Sequence, residues 1–172
     1  TGALDGRVET AIAALAPQTG EYVLVTRLRD GREVVVSRER ILPYVQEALD
    51  QLVSAVDAVL FLCTGEFPPL RGGGLLIESS RVLHHVVAGL AESRRLGVLV
   101  PLPEQVAAAE RRWRLAVERV AAVEAVSPYR DGDFPGAAGA LRRAGAQLIV
   151  MDCMGYTLQH KREVVAAAGL PT

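Results

Sequence analysis

The apolar and polar side chains from Tyr22 to Arg29 follow one another in the way of a strand, and a second run extends from Arg32 to Ser37. The Asp30-Gly31 pair between these runs is a strong tight-turn signal and predicts a β-hairpin over residues 22–37. Residues 8–16 predict a short helix ended by Pro17. Ile41, Val45, Ala48, Leu49 and Leu52 fall at helical spacing, so residues 41–54 predict a second helix. Proline is tolerated only in a first turn, which places the start of that helix near Pro43.

From residue 57 the pattern changes to short apolar runs alternating with helical segments. Strands are expected at residues 57–63, 97–100, 120–126 and 147–152, with helices running from about residue 80 through His84 to Leu90 and at 104–119, 136–144 and 158–168. Ser79 or Ser80 can cap the first of these helices, and Gly145 and Gly169 follow the last two as C-terminal stops. Pro68-Pro69 and Gly72-Gly73-Gly74 read as a loop and lid, and Leu170-Pro171-Thr172 as the start of another strand. The alternation argues for βαβ units, an α/β class and mostly parallel sheets. A break near residues 93–96 divides the chain into lobes 1–93 and 94–172.

Two apolar runs end in the same way. Asp57-Ala58-Val59-Leu60-Phe61-Leu62 leads to Cys63-Thr64-Gly65, and Gln147-Leu148-Ile149-Val150-Met151-Asp152 leads to Cys153-Met154-Gly155. Each run reads as a buried parallel strand, and open α/β sheets build their sites at the carboxyl ends of such strands. The repeat suggests an internal duplication. The chain has only these two cysteines among 172 residues, too few for a disulfide scaffold. A reducing cytoplasm is therefore the expected location. The net charge of −1 gives no basic footprint for nucleic acid, and no apolar run is long enough to span a membrane.

A thiol at a strand end with a helix beginning after it lies in an electropositive place, which predicts a lowered pKa. Two such thiols can serve as base and acid on opposite faces of one carbon beside a carboxylate. Cys63 and Cys153 are the candidate catalytic pair. Thr64, Gly65, Glu66, Gly155, Tyr156 and Thr157 are the candidate substrate-binding residues around them. The expected partner is a small carboxylate-containing molecule. His160 reads as a helix residue, His84 and His85 point apart, and Trp113 reads as core. The spacing of Cys and His does not fit a structural zinc site, and Gly72-Gly73-Gly74 lacks the pattern of a phosphate or dinucleotide loop.

The segments 57–63 and 149–156 resemble the two cysteine motifs of the aspartate/glutamate/hydantoin racemase superfamily. The chain is more closely similar to the AroM family of bacterial proteins. That likeness is carried by Thr26-Arg27-Leu28 through Val36-Ser37-Arg38, Leu76-Ile77-Glu78 through Arg81-Val82-Leu83, Gly97-Val98-Leu99-Val100-Pro101 and Met151-Asp152-Cys153-Met154-Gly155. The resemblance implies two Rossmann-like lobes related by a pseudo-twofold axis, with the site in the cleft between them. It implies Cys63 and Cys153 as proton carriers, no cofactor and no metal, and it names no substrate. Dimers are common for such folds, so a homodimer is the expected assembly.

The chain departs from the racemase pattern in three places. The first strand of the N-terminal lobe is not visible before Thr1, Glu66 follows Cys63 closely, and Asp152 immediately precedes Cys153. Either carboxylate would raise a neighbouring thiol pKa, although Asp152 should face the other side of its strand. Three readings stand: a two-thiol racemase or isomerase, a one-thiol decarboxylase or cis–trans isomerase, and a non-catalytic small-molecule binding or regulatory protein.

Overall fold

The computed structural model describes residues 2–172. The chain forms two compact units, one running to Ser79 and the other from Ser80 to Thr172.

The first unit contains α1 (Glu9–Ala13), β1 (Val23–Arg27), β2 (Glu33–Ser37), α2 (Arg38–Leu52), β3 (Ala58–Phe61) and β4 (Leu75–Glu78). β1 and β2 pair antiparallel, with Leu24 opposite Val36 and Arg27 opposite Glu33. Their turn requires Gly31, whose φ of 91° lies in the left-handed region that side chains avoid. Buried Ser37 ends the hairpin and caps the next helix, its Oγ accepting from the Arg40 N–H at 3.3 Å. α2 therefore begins at Arg38 and not near Pro43, which lies inside it. Pro43 is exposed, so water can reach the Glu39 carbonyl that the missing N–H would have bonded. Leu15, Leu24, Val36, Ile41 and Val45 form the core of this unit.

β3 and β4 pair in parallel, from Ala58 opposite Leu75 to Phe61 opposite Glu78. β4 falls in a stretch the sequence pattern did not identify as a strand. The expectation that residues 57–62 form a buried strand is also corrected: Leu60 is 55% and Leu62 60% exposed. Burial of a parallel strand needs neighbours on both edges and layers on both faces. β3 pairs with β4 alone among the described residues.

The second unit holds α3 (Ser79–Ala91), β5 (Leu96–Val100), a 3-10 turn (Pro103–Gln105), α4 (Val106–Ala116), β6 (Val120–Ala125), α5 (Phe134–Arg143), β7 (Leu148–Met151) and α6 (Leu158–Ala168). Its sheet is parallel, in the order β6-β5-β7. β5 is buried throughout, and its side chains alternate between two helical layers. Val98, Val100 and Val150 pack with Val87, Ala91, Ala109 and Trp113 of α3 and α4. Leu99 and Ile149 pack with Phe134, Ala138, Leu141 and Val164 of α5 and α6. Val87 and Ala91 of α3 belong to this core, and the second compact unit starts at Ser80.

Gly145 (φ 89°) and Gly169 (φ 64°) close α5 and α6 in the left-handed conformation. α5 begins two residues before the expected Gly136, since Asp133 caps it by accepting from the Gly136 N–H at 2.8 Å. After α6 the chain returns to β7, where the Ile149 N–H donates to the Pro171 carbonyl at 2.9 Å.

Gly97 of β5 lies against Leu141 of α5 and against Ala146. A Cβ there would lie 2.9 Å from the Ala146 Cβ, which has no rotamer by which to move away. Overpacking of this kind costs about 1–3 kcal/mol. Gly97→Ala should lower the unfolding free energy measured by urea titration by that amount; an unchanged value would show that the layer can spread.

Candidate functional site

Both cysteines lie two residues beyond the end of a parallel strand, β3 for Cys63 and β7 for Cys153. Both are half-buried free thiols. Each makes the same backbone turn. The Cys63 N–H donates to the Phe61 carbonyl at 3.0 Å, and the Cys153 N–H to the Met151 carbonyl at 3.1 Å. Bonds of this i to i−2 kind are common where strands end.

In the second unit, Cys153 lies among Gly155, Tyr129, Tyr156 and Asp152. The Gly155 N–H donates to Cys153 Sγ at 3.3 Å, and Tyr129 hydrogen-bonds the same sulfur through its hydroxyl. Burial pushes the Cys153 thiol pKa up and the Asp152 charge adds to the rise, while the two hydrogen bonds oppose it. This reverses the expected lowering. The nearest following helix, α6, begins only at Leu158.

Tyr156 donates its hydroxyl to the Val126 carbonyl at 2.8 Å. Burial, with the neighbouring Cys153 and Asp152, drives its pKa far above the ordinary phenol value. Thr157 caps α6, its Oγ1 accepting from the His160 N–H at 3.3 Å. His160 returns the contact through Nδ1, which accepts from the Thr157 N–H at 3.2 Å, and its ring stacks on Phe134. These contacts give Tyr156, Thr157 and His160 local partners within the loop and helix.

Asp152 faces α4, as strand alternation predicts. Its buried Oδ2 accepts from the Trp113 indole N–H at 2.8 Å and pairs with the Arg112 guanidinium. Arg112 and Trp113 fix the residue next to the thiol from beneath. Trp113 is core, as expected, but its polar edge carries this further contact. Sequence reasoning missed both roles, and it missed Tyr129 in the loop after β6. No spacing pattern links residues 113, 129 and 153.

In the first unit, residues 63–67 rest on the hairpin. A Cβ on Gly65 would lie 2.6 Å from Leu24 Cδ2, so a side chain there would have to displace the leucine methyl. The Glu66 N–H donates to the Tyr22 hydroxyl at 3.4 Å, and the Glu66 carbonyl accepts from Arg38 Nη1 at 3.2 Å. The Arg38 guanidinium lies over the Tyr22 ring at 4.7 Å. Thr64 is buried, and Glu66 is exposed. Phe61 and Phe67 meet edge to face at 5.0 Å on either side of the loop.

The glycines following the two cysteines thus share a second property. Leu24 covers Gly65 and Tyr129 covers Gly155, so each glycine admits a side chain of its own unit. Among the described residues, no group of three or more His, Cys, Asp and Glu side chains could hold a metal ion. No helix among them is long and apolar enough to cross a membrane.

A parallel sheet between helical layers, with a hydrogen-bonded thiol at a strand's carboxyl end, defines an α/β protein with a cysteine-bearing candidate site. The model of the AroM family, described as AroM protein, matches residues 1–172, and the chain belongs to that family. No curated protein and no solved structure matches the chain.

Two outcomes follow from this geometry. Breaking a buried ion pair by removing one partner costs about 3–5 kcal/mol. Arg112→Met, which strands the Asp152 carboxylate, should lower unfolding stability by that amount in urea titration. The raised Cys153 pKa keeps the sulfur protonated beyond the ordinary thiol value of about 8.5. In the Cys63→Ser variant, iodoacetamide should therefore label Cys153 slowly at neutral pH, with a midpoint above that of a free cysteine. Any stability that Cys153 contributes should be complete below the unfolded value and fade as pH rises through the folded one. A midpoint near or below 7 would contradict the burial account.

Proposed function

We propose that this AroM-family protein catalyses cofactor-independent proton transfer at a carbon beside a carboxylate or carbonyl, as a racemase or isomerase. Cys63 and Cys153 are the acid and base in this reading. In this reading they act on opposite faces of one substrate carbon. The observation that carries it is the shared turn: each thiol follows a parallel strand by two residues, bonds its own N–H to the carbonyl two residues back, and precedes a glycine closely covered by a side chain.

Cys153 is the acid of the pair. Burial favours its protonated form, so its S–H is ready to supply a proton. Cys63 is then the base that removes a proton from the other face of the carbon. Thr64, Gly65, Glu66, Gly155, Tyr156 and Thr157 form the two loops that enclose the substrate. A small carboxylate is the expected substrate class, with the Arg38 guanidinium beside the Cys63 loop contributing positive potential.

One observation favours a second, one-thiol reading, a decarboxylase or a cis–trans isomerase. The surroundings of the thiols differ: Cys153 has Tyr129, Tyr156 and Asp152, whereas the Cys63 loop rests on Leu24, Phe61 and Phe67.

The test is α-hydrogen exchange with deuterated water across a panel of small carboxylates, followed by proton NMR. The two-thiol reading expects exchange with at least one compound, and its loss by about a hundredfold or more in both Cys63→Ser and Cys153→Ser, the usual scale for an acid or base. Loss in only one variant supports the one-thiol reading. Exchange that survives both substitutions, or that no carboxylate undergoes, would refute thiol acid/base chemistry.

A further inference from the structure

Tyr129 lies on the loop after β6 and is remote in sequence from either cysteine, yet it reaches the Cys153 loop. A Cβ placed on Gly155 would lie 2.4 Å from the Tyr129 hydroxyl oxygen, 2.6 Å from Cζ and 2.8 Å from Cε1. The ring therefore lies flush against the residue whose N–H donates to Cys153 Sγ at 3.3 Å. Any side chain larger than hydrogen at position 155 would drive the hydroxyl away.

The loop that carries Tyr129 is itself held. The Tyr129 N–H donates to Ser127 Oγ at 3.1 Å, a local turn that orients the tyrosine. Tyr156 is tied to the same loop through the Val126 carbonyl. The loops after β6 and β7 are joined at Val126–Tyr156 and at Tyr129–Gly155.

We propose that Tyr129 is a positioning residue for Cys153, its hydroxyl and the Gly155 N–H forming a two-donor cradle that holds the sulfur as a thiolate after it has given up its proton. The inference rests on the acid role assigned to Cys153 above. In that step the S–H bond breaks and a C–H bond forms, using the electron pair of the substrate carbanion. The sulfur keeps its own pair as a thiolate. Tyr129 remains protonated throughout and shortens its hydrogen bond as charge develops, since bonds to an ionised partner are about twice as strong as neutral ones.

The groups that act on this sulfur are few. Asp152 lies on its own loop and opposes the thiolate, and Tyr129 comes from the β6 loop. From α4, Arg112 pairs with Asp152 and offsets its charge. Of these, Tyr129 alone donates a side-chain hydrogen bond to the sulfur.

The test needs no substrate. In a Cys63→Ser background, Cys153 is the sole thiol, and its ionisation is followed by thiolate absorbance and by the pH dependence of iodoacetamide labelling. Tyr129→Phe keeps the ring against Gly155 and removes the hydroxyl. We expect its midpoint to rise by about one unit or more, which is a tenfold loss of labelling per unit at a fixed pH below the midpoint. Gly155→Ala, which retains the tyrosine but displaces it, should shift the midpoint in the same direction. Circular dichroism of each variant reports the fold separately, and either variant alone decides the matter if the other does not fold. An unchanged or lowered midpoint in a folded variant would overturn the proposal and leave Tyr129 as packing. A shifted midpoint without any deuterium exchange would uphold the cradle and refute the catalytic reading. Exchange with an unmoved midpoint would do the reverse.

Discussion

The carboxylate of Asp152 is the fixed point on which the Cys153 half-site depends. It is buried at the carboxyl end of β7, where an unpaired charge could not remain. Arg112 supplies the opposite charge and Trp113 a directional donor, both from α4. Trp113 is at the same time the largest fully buried side chain of its layer, packed with Val98, Val100 and Val150. The interaction therefore ties the strand end to the best-packed part of the unit. Cys153 is the next residue, so its backbone is fixed before any ligand arrives. Pre-organisation of this kind is what acid/base chemistry requires.

The two cysteine loops solve one geometric problem with different materials. Both leave a parallel strand through the same tight turn, and both use a glycine to let a side chain close over the loop. In the first unit that side chain is Leu24 of the hairpin, and in the second it is Tyr129. A leucine only excludes water, whereas a tyrosine also donates a hydrogen bond. This difference underlies the division of roles proposed for the thiols. The one beside Tyr129 has donors for its charged form, and burial that favours its neutral form. A group balanced in that way can give up a proton and take it back.

Much of the fold was legible because strong local signals agreed with tertiary packing. Asp30-Gly31 located the hairpin, and Gly145 and Gly169 marked the ends of α5 and α6. The continuous apolar character of residues 96–100 and 148–151 matched strands covered on both faces. The misses have physical causes. β4 runs directly from a glycine-rich loop into a helix, so its four residues show no period of their own. The start of α2 was hidden because Ser37 serves both as the last strand residue and as the cap. The same apolar pattern at residues 58–62 was over-read, because sequence reports that a run can be buried and not whether neighbours bury it. Cys63, Cys153 and their glycines were visible as a repeated motif. Tyr129, Arg112 and Trp113 were not, since only the βαβ path brings residues from separate loops and helices to one strand end.

The proposed two-thiol chemistry requires that Cys63 and Cys153 act on one substrate. The most direct measurement is cross-linking of the reduced protein with a short bifunctional thiol reagent, read by peptide mass spectrometry. The account predicts an intramolecular bridge joining the peptide that contains Cys63 to the peptide that contains Cys153. Separate single-ended adducts on the two cysteines, with no bridge at any reagent concentration, would contradict it.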